Sequence, residues 1–185
     1  RFIARSFERA DATTRPDDVM AVYSTADRWI LSRLGQTITN VDRLMDGYLF
    51  GEAGRQIYDF LWNDFADWYV EIAKVQMNSG GAATWASLSV LSTALDHTLR
   101  LLHPFIPFVT EETWQQLRSA ATSAGIDPAG SWPDALIVAD WPQPILDDPT
   151  ATADFELLRE LIRRIRNARA EQGVEPARYI PAIIA

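Results

Sequence analysis

Three groups of residues in this sequence have types and spacings that could do chemistry. The first lies in YDFLWNDFADWYVE, where Asp64, Asp67 and Glu71 recur at three- and four-residue spacing. On a helix that spacing makes their carboxylates neighbours on one face. Neighbouring carboxylates can exchange a proton or hold a cation. The same spacing also builds a plain polar ridge opposite an aromatic core, answered by arginines of an adjacent helix. No second carboxylate motif accompanies the run, so the ridge is the reading adopted. The second group is His97 and His103, six residues apart and poorly matched to one helix face. With no cysteine and no histidine pair at four-residue spacing, no metal site is expected. Nor does a phosphate-cradling glycine loop, a nucleophile elbow or a Walker sequence occur. We expect no catalytic residue in this chain.

The third group is arginine. Sixteen of the seventeen basic residues are arginine, with Lys74 the only lysine. Arg1, Arg5 and Arg9 are spaced by four, forming a ridge that drifts about 40° per step on a helix. Phe2 beside Arg1 puts an aromatic ring next to a guanidinium, which suits an unstacked RNA base beside its phosphate. A solvated face with Phe2 turned inward fits the same residues. In ELLRELIRRIRNARAEQG, Leu158, Leu161, Ile162 and Ile165 read as the core face. Arg159, Arg163 and Arg166 lie within about 60° of one another on its flank. That flank could grip phosphates or be neutralised by Glu156 and Glu160. Arg164 points elsewhere. Arg169 falls on the apolar stripe, where its charge needs a partner such as an acid of the central helix.

Helices must position these groups. RFIARSFERA reads as the tail of a helix, followed by the loop DATTRPDD. A long helix opens near Ser24 or Thr25, with Ile30, Leu31, Leu34, Ile38, Val41, Leu44 and Met45 at helical spacing, and Gly47 and Gly51 mark its end. From about Glu52 to Met77, Ile57, Leu61, Phe65, Trp68, Ile72 and Val75 form one stripe. Phe60, Trp62 and Tyr69 widen it, so this helix should be central. A fourth helix spans about Ala83 to Leu102. The elbow HPFIPF then carries two prolines that break the helix, with Phe105, Ile106 and Phe108 expected to be buried and Thr110 to cap the next helix. Residues 122–150 read as an irregular cover in which ALIVA forms a short strand or extended segment. A last helix occupies about Ala153 to Gln172, and RYIPAIIA has the β-branched content of a strand. The fold expected is an all-α, up-and-down helical bundle over residues 1–172 with a short strand-like appendage near its C-terminal part. Residues 173–185 read as the start of a truncated extension.

Composition sets the outer limits. The 185 residues, 48% of them hydrophobic, suffice for one domain with a real core. The net charge of −8 argues against general nucleic-acid binding and leaves only local basic patches for phosphate. The absence of cysteine excludes disulfides and thiol chemistry and agrees with a cytoplasmic setting. No stretch approaches the roughly 20 apolar residues of a membrane span. Because Arg1 is not a start residue, the sequence reads as an excised piece of a longer protein.

DRWILSRL at Asp27–Leu34, YDFLWNDFADWYVEIAK at Tyr58–Lys74, LLHPFIPFVTEETW at Leu101–Trp114 and IRNARAEQGVEP at Ile165–Pro176 occur in a telling order. Together they resemble the anticodon-binding domain of class I aminoacyl-tRNA synthetases over nearly the whole chain. HPFIPFVTEETW is shared by the valine, isoleucine and leucine branches, whereas IRNARAEQGVEP points to the valine branch. Departures are Ala66 where cysteine is frequent, Ala168 where a larger aliphatic is common, and Glu175 where proline is usual. The resemblance implies that Arg1 and Phe2 lie against the anticodon, Phe2 stacking on a base and Arg1 holding a phosphate or base edge. Arg5 and Arg9 extend that edge by spacing. Tyr58 and Leu61 supply an apolar wall, and Trp62 reads as core. Arg159, Arg163 and Arg166 are a weaker carry-over. The implied partners are a tRNA anticodon loop and the catalytic domain of the same chain, in a monomer away from membranes. The parent enzyme would use ATP and Mg²⁺ to attach valine to its tRNA, while this part holds no cofactor, catalytic site or editing site. The same domain of an isoleucine or leucine enzyme is an alternative, as is a helical protein-interaction module without RNA binding.

Overall fold

Ser24 starts a 22-residue α-helix with a reciprocal cap. Its hydroxyl accepts from the Asp27 N–H at 3.2 Å, and the Asp27 carboxylate accepts from the Ser24 N–H at 2.8 Å. The computed structural model describes residues 2–9, 14–126, 132–175 and 178–179. Its helices are α1 (Phe2–Ser6), α2 (Thr25–Asp46), α3 (Phe50–Asp59), α4 (Val70–Met77), α5 (Gly81–Leu102), α6 (Pro107–Ser123) and α7 (Pro149–Glu171). A π-helical stretch, Phe60–Tyr69, joins α3 to α4 without a break. The fold is an all-α bundle. Helix α7 packs along α2, and α1 lies across α5 and α6.

The π stretch explains why a simple helical stripe misreads this segment. A π-helix makes i→i+5 bonds and so takes more residues per turn than an α-helix. Its wider turn centres the inward face on Tyr69, Ala73 and Met77, leaves Trp68 and Ile72 half-buried at its border, and turns Val75 out. Tyr69 is fully buried, whereas Val75 is 69% exposed. The Tyr69 hydroxyl reaches inward to donate to Asp27 Oδ1 at 2.6 Å. Burial first, and the Asp27 charge second, push the Tyr69 pKa well above its ordinary value. The central helix is α5 instead: 15 of its 22 residues are buried, and it touches α1, α2, α3, α4 and α6.

Several boundaries differ from the sequence reading. Helix α2 ends at Asp46 with Gly47 as its cap, but Gly51 lies inside α3. Tyr48 makes the turn with a positive φ of 58°. Helix α6 starts at Pro107, whose missing N–H costs nothing in the first turn. Thr110 is therefore not its cap. It sits buried one turn in, its hydroxyl 3.0 Å from the Ile106 and Pro107 carbonyls and 2.9 Å from His103 Nδ1. Of Phe105, Ile106 and Phe108 in the elbow only Phe105 is half-buried, against Gly54, while Phe108 is 90% exposed. ALIVA forms no strand; Leu136–Val138 make one 3₁₀ turn between extended residues. Among the described residues there is no strand at all. The strand-like end from Ile180 lies outside the described residues. Helix α7 begins four residues before Ala153, capped by the Asp148 carboxylate, which accepts from the Ala151 N–H at 2.9 Å.

Besides Asp27, two further buried carboxylates fasten the bundle. Asp96 of α5 accepts from the Trp114 indole of α6 at 2.6 Å and pairs with Arg100 at 3.0 Å, with His97 Nδ1 3.3 Å away. Burial raises its pKa, yet the His97 bond, the Arg100 charge and the Trp114 bond together leave it below the usual carboxylate value. Asp64, in the π stretch, is held by Arg33 of α2 at 3.1 Å and by Arg159 of α7 at 3.0 Å. The polar-ridge reading of the carboxylate run thus holds at Asp64.

Candidate nucleic-acid interface

Helix α1 carries Phe2 to the mouth of a groove between α1, the π stretch, α5 and α6. The groove holds about 270 Å³, walled by Ile3, Leu61, Phe65, Val70 and Leu117. Phe2 is neither sealed nor free: it is 38% exposed, and the Lys74 ammonium stands 5.0 Å from its ring centre. That arrangement is a cation–π pair at a solvent edge. Lys74 also pairs with Glu71. The cation beside Phe2 in the described structure is thus the single lysine, which the sequence reading left out. The predicted partner, Arg1, lies outside the described residues. Arg5 is exposed on α1. Helix α1 ends at Ser6 and gives way to a 3₁₀ turn over Phe7–Arg9, so the four-residue ridge does not continue regularly to Arg9, whose side chain is not described.

Leu61 joins the groove wall. Trp62 departs from the core role assigned to it, being 56% exposed. Its ring lies parallel to that of Tyr58, at an interplanar angle of 3° and a centroid distance of 6.2 Å, and Tyr58 is 57% exposed. Two exposed, parallel aromatic faces one turn apart form a stacking surface. The i, i+4 spacing of Tyr58 and Trp62 was visible in the sequence; which way the pair faces depended on the π stretch.

The α7 arginines separate into different roles. Arg159 is turned inward, its side chain only 14% exposed, bonded to Asp64 and Glu156 and placed 5.5 Å and 5.2 Å from the ring centres of Trp29 and Trp68. Arg163 is 62% exposed and pairs with Glu160 at 3.0 Å. Arg166 is exposed and stands 5.6 Å from the Trp68 ring centre. Arg169 donates to Glu175 O at 2.8 Å and Arg178 O at 2.9 Å. None of the four residues assigned to the core face of this helix is buried; its core contact comes from Phe155 in the first half. Phe155 is buried against Trp29, but Leu158 is 44% exposed, and Leu161, Ile162 and Ile165 are half-buried. The α1 groove and the α7 arginines use different flanks of the π stretch, with Leu61 and Ala66 facing α1 and Asp64 and Trp68 facing α7.

Elsewhere the surface offers less. A cleft of about 640 Å³ between α2, α3, the π stretch and α7 is lined by charges that already pair with one another, such as Arg55 with Asp59 and Arg33 with Asp64. Among the described residues no group of three metal-ligating side chains gathers. No described helix is long and apolar enough to cross a membrane.

A family model described as the anticodon-binding domain of tRNA ligase matches residues 27–184. Among curated proteins, the chain is 42% identical over 170 residues to a valine–tRNA ligase of Bacillus licheniformis, covering 90% of this chain and 18% of that protein. It is 46% identical over 157 residues to a valine–tRNA ligase of Bacillus thuringiensis, covering 83% of this chain and 16% of that protein. A valine–tRNA ligase of Geobacillus stearothermophilus is 41% identical over 170 residues, with 90% of this chain and 18% of that protein covered. The chain thus spans less than a fifth of the length of these relatives.

Proposed function

Because the chain belongs to the family of anticodon-binding domains of tRNA ligases, we propose that it receives the anticodon loop of a valine tRNA within a valine–tRNA ligase. The observation that carries this reading is Phe2, left open at a groove mouth beneath the Lys74 ammonium. Sequence-specific RNA recognition works on unstacked loop bases, laid on aromatic rings and held by nearby cations. Phe2 supplies the ring, while Lys74, Arg5 and Arg1 supply positive charge for the adjoining phosphates. Tyr58 and Trp62 offer a second stacking surface on the helix that continues to Lys74, and Leu61 walls the groove at Phe2. Arg163 and Arg166, with Arg9 as an extension of the first ridge, add outer phosphate contacts. Arg159 supports the reading only indirectly, by holding α7 against Asp64 and Trp68.

The overall negative charge is no obstacle, because local cations act within a Debye length of about 8–10 Å and distant carboxylates are screened. In the whole enzyme, ATP and Mg²⁺ would serve attachment of valine to the tRNA on a catalytic domain elsewhere in the chain. The parent works in the cytoplasm as a monomer. The part played here is recognition: binding energy gained at the anticodon orients a distant acceptor end.

Fluorescence titration with anticodon stem-loops tests the reading. Loops bearing a valine anticodon should bind more tightly than loops bearing isoleucine or unrelated anticodons, with affinity falling as salt rises. Equal affinity for every loop would reduce the interface to charge alone. Binding to none would overturn the reading in favour of a protein-interaction module.

A further inference from the structure

Resting on the reading of this chain as one domain of a tRNA ligase, we infer that the end of the bundle opposite Phe2 docks onto an apolar, basic-rimmed surface of the same enzyme, outside these 185 residues. Helices α2 and α5 both end there, at Asp46 and Leu102. The turn after α2 leaves Tyr48, Leu49 and Phe50 exposed, and the elbow after α5 leaves Ile106, Phe108 and Val109 exposed. The two groups adjoin. Phe50 stands one turn before Gly54 on α3, and Phe105 of the elbow packs against Gly54. A groove of about 400 Å³ continues the surface from Pro104 and Pro107 to Trp141 and Ile137. Tyr48 is 81% exposed and Ile137 75%, so these side chains stand clear of the core. Single apolar side chains scattered over a surface are ordinary, but a joined group of this size with a polar rim marks a protein contact.

The rim is acidic, and that selects the occupant. Asp46 precedes the Tyr48 turn, Glu112 lies one turn after Phe108, and Asp134 and Asp140 flank the Leu136–Val138 turn; all four are exposed. The cations nearby are largely committed: Arg100 to Asp96, Arg55 to Glu52 and Asp59, and Arg118 at 3.8 Å from Asp134, with Arg43 in the last turn of α2. Such a rim repels phosphate, so RNA does not fit it. A second copy does not fit either, because a two-fold contact would set like charges against each other. The complement is a protein surface with lysines or arginines around an apolar centre, one anchor side chain seated in the groove and a cation on Asp140 at its wall. The rest of the enzyme is the protein at hand, since the chain covers only 18% and 16% of the two Bacillus ligases compared above. From Phe50 the helical run through α3, the π stretch and α4 reaches Lys74, roughly 30 Å away. RNA at Phe2 and protein at Phe108 then sit at the two ends of one stiff rod, which carries orientation from one to the other.

Hydroxyl-radical footprinting of the 185-residue chain and of the full-length enzyme, each with and without a valine-anticodon stem-loop, tests the docking. Oxidation of Phe108 and Tyr48 should fall by about fivefold or more from the isolated chain to the full enzyme, with or without RNA, because the centre of a protein interface excludes water. Asp140→Arg, at an exposed side chain, should leave the melt of the isolated chain unchanged and return Phe108 oxidation in the full enzyme toward the isolated level. Equal oxidation in the two proteins would overturn the inference. So would protection that appears only with RNA, or protection of the isolated chain that grows with its concentration. A footprint unaltered by Asp140→Arg would overturn the basic partner. If the footprint appears but no stem-loop binds, the docking stands and the anticodon reading falls. If stem-loops bind and no footprint appears, the docking alone falls.

Discussion

Arg159 was grouped by spacing with the phosphate-gripping arginines, and its surroundings point to the opposite behaviour. Replacing it with alanine removes one of the two cations on Asp64, a carboxylate whose side chain is only 7% exposed. It also removes the guanidinium from between the indoles of Trp29 and Trp68. Losing one partner of a buried pair costs about 3–5 kcal/mol when the other is left alone. Here Arg33 still holds Asp64 Oδ2 at 3.1 Å, so the cost falls lower, at about 2–3 kcal/mol. For a chain of this size each kcal/mol moves Tm by roughly 2–4 °C, giving a drop of about 4–12 °C in a thermal melt followed by circular dichroism. Below its melting range, Arg159→Ala should bind anticodon stem-loops as wild type does. Arg163→Ala, at a site 62% exposed, should change stability by no more than about 0.5 kcal/mol and act only on RNA binding. A variant lacking Arg159 that melts like wild type yet binds the loop more weakly would refute the reasoning.

Other perturbations follow the same logic. Asp96 has a folded pKa below its unfolded one, so its stabilising effect is present above the ordinary carboxylate pKa and is lost as pH falls through the folded value. Asp96→Asn should cost about 3–5 kcal/mol at neutral pH and flatten the acid limb of a stability–pH profile. Phe108→Ser, at a side chain 90% exposed, should leave stability within about 0.5 kcal/mol in a urea titration, a null that a buried elbow would not give. Trp62→Ala should leave the melt nearly unchanged but weaken stem-loop binding by about 1–3 kcal/mol, the loss of one stacked base.

How much was legible depended on how local the cause was. The Ser24 cap and the end of α5 at Leu102 follow from neighbouring residues, and both were readable. The π stretch was not. Its wider turn follows from what Tyr69 reaches, namely Asp27 across the core, and no spacing rule along the chain contains that contact. One misjudged turn then misplaced Trp62 and Val75 together. The elbow failed for a similar reason: apolar residues between prolines invite burial, but Pro107 opens a helix and thereby aims Phe108 outward. In the interface, Phe2 was legible as an aromatic beside cations. Its actual neighbour, Lys74, is 72 residues away in sequence and meets it only in the folded bundle.

Phe2→Leu offers the most direct examination of whether RNA bases lie on this edge. Leucine keeps apolar contact with the groove while removing the flat ring. Titrated with a valine-anticodon stem-loop at two salt concentrations, the variant should lose about 1–3 kcal/mol of affinity and keep the salt slope of wild type, because no cation has been removed. Unchanged affinity in a correctly folded Phe2→Leu protein would contradict the account.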